Sequence, residues 1–325
     1  TLIIFHLKAI SKLKENKIND NLLKTLKPPI EVMLSLLEKQ NTRLSILDCS
    51  QAAPNSPPPE SLLKALKKAA INSENYRYGA VLGNPKLRNL IVQKWNSIYQ
   101  SDIKYSNVGV TSGCNQAFCA AIASVAKAGD TIMMPSPWYF NHKMWLDMQG
   151  INIANLPCGN DYLPDFKTVK KIFNSSVKAI VLVTPNNPTG QEYPKRLLRK
   201  FANFVKKNSI TLIIDETYRD FISKKSNLHD LFQTHDWRKW LIHLYSFSKV
   251  YRIPGHRIGA IVTSQVRLGN IEKFLDTLTI CPNQLGQEAA IHGLKYLAKF
   301  VEKQRLEILE KRKTLEQALI MLPNW

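Results

Sequence analysis

Cysteine is scarce in this sequence, five residues in 325, and none stands in a C-x-x-C pair. Cys49, Cys114, Cys119, Cys158 and Cys281 therefore outline neither a disulfide framework nor a zinc knuckle, and free thiols in a reducing compartment are the expectation. Long apolar runs are missing too. Nothing approaches the ~20 continuous apolar residues of a membrane span, and the opening TLIIFHLKAI is too short an apolar patch for a signal peptide. A cytoplasmic protein without a membrane partner is expected. Neither G-x-x-x-x-G-K-[ST] nor G-x-G-x-x-G occurs, which counts against P-loop and dinucleotide-binding classes. No two histidines stand four apart, so no metal is expected.

Acid is the other shortage: 25 Asp and Glu against 45 Lys and Arg leave a formal charge of +20. Such an excess suits a nucleic-acid face. Here the lysines are spread along the chain and come with abundant Asn and Ile, so a compositional bias of the source accounts for them and no nucleic-acid partner is expected. With 44% hydrophobic and 22% charged residues the chain reads as an ordinary globular protein, long enough for one large domain and part of another.

What is present is alternation. Short apolar runs at Ile46–Cys49, Val108–Val110, Thr131–Met134, Ile151–Leu156, Ala179–Val183, Thr211–Ile214, Leu241–Tyr245 and Ile258–Thr263 read as strands. Helical periods fall between several of them, as at Gln116–Ala126 and Pro194–Lys206. This pattern predicts an α/β fold with a mostly parallel sheet sandwiched by helices. Residues 1 to about 40 are Lys-rich and helical in pattern, the Pro-rich QAAPNSPPPE follows, and a long Lys/Glu-laced helix is expected over Leu294–Met321. The expected units are an N-terminal segment and arm over 1–57, a large domain over 58–290, and over 291–325 a linking helix that begins a small domain left incomplete.

The chemistry concentrates at strand ends. Leu241–Gly259 runs from a strand into Ser246, Ser248 and Lys249, with Arg257 eight residues on. An amine flanked by serines and followed by an arginine suits a lysine that reacts while an anion is held beside it, the arrangement a phosphorylated aldehyde cofactor needs. Thr111-Ser112-Gly113-Cys114-Asn115-Gln116 follows a strand and opens a helix, where free N–H groups and the positive dipole end suit a phosphate; a plain cap by Thr111 or Ser112 is the alternative. Ser136-Pro137-Trp138-Tyr139-Phe140 places rings in a loop where a flat heterocycle could stack. Thr184 to Gly190 ends a buried strand, and Asp215 closes another ahead of Glu216-Thr217-Tyr218.

In order and spacing these segments, with Tyr78, Gly83 and Leu87-Arg88 ahead of them, resemble the class I/II pyridoxal-phosphate aminotransferases, the aspartate aminotransferase superfamily of fold type I. The resemblance covers roughly residues 45 to 300. It implies pyridoxal 5'-phosphate as cofactor, amino acid and 2-oxo acid substrates, and a ping-pong cycle. Lys249 would form the Schiff base and shuttle the proton, Asp215 would pair with the pyridine nitrogen, and Tyr218 and Asn187 would bond the ring's phenolic oxygen. Tyr139, or Trp138 beside it, would stack on the ring. Gly113, Cys114, Asn115, Ser246, Ser248 and Arg257 would bind the phosphate. Tyr78 would reach the phosphate of a partner subunit, which implies a homodimer. A C–S lyase or decarboxylase could use the same Lys249 and Asp215, and a catalytically impaired cofactor-binding fragment or regulator is the remaining alternative. Two departures stand out: the family's substrate-carboxylate arginine lies well beyond the 76 residues that follow Lys249, and Ala53-Pro54-Asn55 stands where many relatives carry glycine.

Overall fold

The computed structural model describes residues 18–39, 53, 56–225 and 228–322. The strand expected at Ile46–Cys49 and the Pro54-Asn55 departure lie outside them. All seven other expected strands form, as β1 (Val108–Thr111), β2 (Thr131–Ser136), β3 (Asn152–Pro157), β4 (Val177–Val183), β5 (Thr211–Asp215), β6 (Leu241–Ser246) and β7 (Gly259–Val262). They make one sheet in the order β1-β7-β6-β5-β4-β2-β3. Pairings among β2 to β6 are parallel, while β7 runs antiparallel to both β6 and β1. One strand alone is therefore reversed, and the mostly parallel sheet is as expected.

Alternation explains why the strands read as unbroken apolar runs. Ile180, Leu182, Leu212, Ile214, Leu241 and Tyr245 pack into one core, while Ala179, Val181, Ile213, Ile242 and Leu244 pack into another on the opposite face. Helices must cover both sides, and burial on both faces is what a parallel sheet demands. Trp95 and Tyr99 of the helix Pro85–Tyr99 belong to the first core, and Phe118 of the helix Cys114–Ala123 to the second. The same period sends Asp215 and Glu216, adjacent in sequence, to opposite faces.

The helix expected over Leu294–Met321 is broken. The helix Gln284–Tyr296 ends at Leu297, whose N–H still bonds Gly293 O, and a second helix runs over Ala298–Ile320. Leu297, with φ −101 and ψ 17, is buried in the first core, so the junction is pinned by packing. Beyond Val301 that second helix buries Gln304 alone.

Candidate active site

Every strand named below delivers its site residues to one edge of the sheet, the carboxyl ends of the parallel strands, where open α/β sheets bind ligands. Because β7 is reversed, its start lies at that same edge, so Arg257, two residues before it, joins the others. Gly113 is the N-cap of the helix Cys114–Ala123, and no side chain caps it. Thr111 instead donates its hydroxyl to Gly113 O, so the capping alternative fails and the first-turn N–H groups are left for an anion. Arg257 Nη1 lies 3.4 Å from Ser248 Oγ and 3.0 Å from Pro254 O. Ser246 Oγ accepts from Ser248 N at 3.2 Å, which fixes the turn that carries Lys249 and leaves the Ser246 hydroxyl proton free to donate.

Gly113 has φ +82, and a Cβ there would come within 2.3 Å of Arg257 Nη2. Backbone and guanidinium thus meet in a cradle that one methyl group would fill. Gly113→Ala is expected to weaken anion binding at this turn about tenfold or more, since it combines left-handed strain with a displaced arginine. Equilibrium dialysis with pyridoxal phosphate measures this, and an unchanged affinity would contradict the cradle.

Asp215 is buried at the end of β5. Burial pushes its carboxyl up, but His142 Nε2 at 3.3 Å and the Thr217 N–H at 2.9 Å outweigh that and hold it below the usual carboxylate range. The His142 ring is stacked on Phe118 at 3.7 Å and edged by Tyr139 at 5.0 Å. Sequence reasoning missed His142, and its only signal was a place three residues after Tyr139, on the same face of the following helix turn. Tyr139 Oη is 3.4 Å from Asn115 Oδ1, and burial pushes its phenol up to about 12. Trp138, also half-buried, packs against the second core. Asn187 Nδ2 lies 3.4 Å from Tyr218 Oη, and burial with nearby Asp215 pushes that phenol up to about 12.

Lys249 is half-buried, and burial followed by the charge of Arg257 lowers its amine below the ordinary lysine value. It opens with Tyr218, Phe221 and Arg252 onto a cavity of about 440 Å³ that Gln304 and Lys311 close from the last helix. Tyr78, by contrast, is 81% exposed and meets none of these groups within its own chain.

The family profile described as aminotransferase class I and II matches residues 39–324. The chain belongs to that family. An aromatic aminotransferase of Arabidopsis thaliana is 27% identical over 304 residues, covering 91% of this chain and 75% of that protein. A valine–pyruvate aminotransferase of Mycobacterium tuberculosis is also 27% identical, over 81% of this chain and 68% of its own length. The fold agrees with that of an aspartate aminotransferase from Thermus thermophilus solved with maleate, at a TM-score of 0.88 and 20% identity, over 95% of this chain and 81% of the other. The fold is thus the type I pyridoxal-phosphate transferase fold, the chain is an enzyme of that family, and pyridoxal 5'-phosphate is its cofactor. The residues present fit that group: the Gly113–Arg257 cradle matches a phosphate, and the ionised Asp215 matches a protonated ring nitrogen.

On the opposite face the structure assembles a cluster that sequence spacing concealed. Among the described residues, Glu216, His229 and His243 bring ligand-type atoms within 4.8 Å of one another, all buried. They come from the segment after β5 and from β6, so no i, i+4 pattern announces them. His243 Nδ1 accepts from Trp95 Nε1 at 3.5 Å, so its Nε2–H donates to Glu216 Oε2 at 2.8 Å, while His229 Nδ1 accepts from Leu231 N at 3.3 Å and its Nε2, 3.5 Å from the same oxygen, makes no hydrogen bond. Tyr99 donates to the same carboxylate oxygen. Burial pushes Glu216 up, but the imidazoles outweigh it and hold the carboxyl well below its ordinary range; burial pushes His243 below its ordinary 6.5.

Both groups therefore bind fewer protons folded than unfolded. Their joint contribution to stability should be level above pH 6.5 and fall below it, first through His243 and then, under 4.5, through Glu216. Each proton contributes a slope of up to roughly 1.4 kcal/mol per pH unit. Urea unfolding midpoints across that window check it, and His243→Phe should flatten the first part of the decline.

Proposed function

We propose that the chain transfers an amino group between an L-amino acid and a 2-oxo acid in a ping-pong cycle, the two substrates using one pocket in turn. The observation that carries this reading is Lys249: an amine with a lowered pKa, opening beside Tyr218 onto the 440 Å³ cavity and backed by Arg257. A lysine of this kind is neutral at lower pH than an exposed one, so it can take a proton from the substrate Cα and return it elsewhere. Pyridoxal phosphate supplies an aldehyde that takes up the amino group and a ring that accepts the electrons left at Cα.

The other residues act around that proton transfer. Asp215, kept ionised by His142 and Thr217, would hold a proton on the ring nitrogen. Tyr218, whose phenol stays protonated at neutral pH, would donate to the ring's phenolic oxygen together with the Asn187 amide. Tyr139 would lie along the ring face. The N–H groups after Gly113, at Cys114 and Asn115, would hold the phosphate with Ser246, Ser248 and Arg257, the arginine adding charge. Tyr78, exposed in the single chain, would serve the phosphate of a partner subunit, so the working form would be a homodimer in the cytoplasm. Residues 58–290 would form the cofactor-binding domain, and 291–325 the passage to a small domain.

The test is a spectral titration. The protein loaded with pyridoxal phosphate should show an absorption band near the visible edge that shifts on adding an L-amino acid and returns on adding a 2-oxo acid. A band indifferent to the whole set of common amino acids would sink the transamination reading.

A further inference from the structure

Two neighbouring helices gather charge on one face of the molecule. The helix Lys195–Lys207 spends Leu198, Phe201, Ala202 and Val205 on the first core, the i, i+3, i+4, i+7 spacing of a single buried stripe. The helix Phe166–Ile172 lies beside it. It buries Val169 in the same core and sets the Phe166 ring edge-on to Phe201 at 5.2 Å and to Phe204 at 6.2 Å. The outward positions are cations, Lys167, Lys170 and Lys171 on the short helix and Arg196, Lys200 and Lys207 among six on the long one, and these named residues are all exposed. Helices of 7 and 13 residues thus carry nine cations and no acid.

A bias of composition does not account for this face. The helix Ala298–Ile320 is drawn from the same composition and sets six Lys and Arg against four Glu. Neighbouring carboxylates neutralise little of the charge. Asp230 takes Arg199, Asp236 takes Lys206 at 3.1 Å, and Asp165 is spent capping the short helix, where it accepts from Lys167 N at 2.9 Å. Among the described residues the other seven cations make no ion pair. Lys200 lies 6.0 Å over the Phe166 ring, on the seam between the two helices. Like charges held together in this way repel one another, and a polyanion relieves the repulsion.

The face offers charge alone. No large exposed apolar side chain lies on either helix among the described residues. Single-stranded bases therefore find no ring to stack on, and no apolar stripe is left to sink into a bilayer, since both stripes are spent on the core. What fits is a row of phosphates whose bases are turned inward. The long helix spans about 20 Å, over which a duplex carries roughly twelve phosphates.

We propose that the outer face of these two helices binds the phosphate backbone of a nucleic-acid duplex. This reverses the expectation drawn from the lysines' order along the chain, which hides their gathering in space. The face shares no residue with the cavity at Lys249, and the inference stands without the proposed reaction.

The experiment uses protein loaded with pyridoxal phosphate and a fluorescein-labelled duplex longer than the patch, as DNA and as RNA, followed by fluorescence anisotropy. In 50 mM salt the duplex should bind with a Kd below about 1 µM, and affinity should fall about twentyfold on going to 100 mM, the slope for roughly five phosphate contacts. The tighter of the two duplexes names the source of the backbone. The triple variant Lys170→Glu, Lys171→Glu, Lys200→Glu should weaken binding about tenfold or more and flatten the salt dependence, with pyridoxal phosphate retained as in the wild type. The variant Lys67→Glu, Lys68→Glu, Lys299→Glu makes the same change in net charge at exposed positions of other helices, and should weaken binding less than about threefold. Equal losses in the two variants would make the binding an effect of net charge and overturn the proposal. So would no saturable binding by the wild type, or tighter binding to phosphatidylserine vesicles than to either duplex.

Discussion

Lys249→Ala is expected to remove amino transfer almost entirely, by about four orders of magnitude, the upper range for losing a positioned proton-transfer group. The covalent attachment of the cofactor goes with it. The fold should survive, since Lys249 is only half-buried and makes no ion pair among the described residues. The turn that carries it is held independently, by Ser246 Oγ, by Ser248 and by the packing of Phe247 and Val250. Pyridoxal phosphate should still bind through the Gly113–Arg257 cradle, more weakly. Two measurements separate the roles: initial rates of amino transfer, and cofactor retained after gel filtration. Residual activity above about one part in a hundred would remove Lys249 from the proton-transfer role, whereas normal activity with no bound cofactor would remove it from the reaction altogether.

The second large effect is on stability. Trp95 is fully buried, with its ring 4.8 Å from Tyr245 edge-on, 6.5 Å from Phe247 and 6.2 Å from His243. The Arg219 guanidinium rests on its face. Trp95→Ala should cost about 3 to 5 kcal/mol, the usual range for emptying a buried tryptophan site. Losing half of the aromatic bed of a buried cation adds to this. Against a total stability of roughly 5 to 15 kcal/mol, the variant should unfold at far lower urea. A shift in the midpoint worth under about 1 kcal/mol would mean that the site collapses around the missing ring.

The sheet was legible because its strands are buried on both faces, so each appears as an unbroken apolar run such as Thr211–Ile214. The residues at its binding edge were legible because they stand directly after those runs: Gly113 after β1, Asp215 at the end of β5, Lys249 after β6. His142 and the Glu216, His229, His243 group escaped because their meaning comes from packing between distant segments. A histidine's spacing from its chain neighbours carries no record of the ring it stacks on. The break at Leu297 was hidden for a related reason, since residues 294–321 keep a helical period while the interruption comes where Leu297 packs into the core.

The strand order has a consequence for the living cell. Among the described strands, β1 touches the rest of the sheet only through β7, the last of them in sequence. Until β7 has been made, the segment at Gly113 has no strand beside it on which to settle. The interval lasts until Gly259–Val262 has emerged and slid between β1 and β6, and Arg257 arrives with them. Non-local closure of this kind is slow and leaves edges exposed to aggregation. The proposed phosphate cradle, which joins Gly113 to Arg257, therefore cannot assemble before β7 is in place, and cofactor held there would report that the sheet has closed.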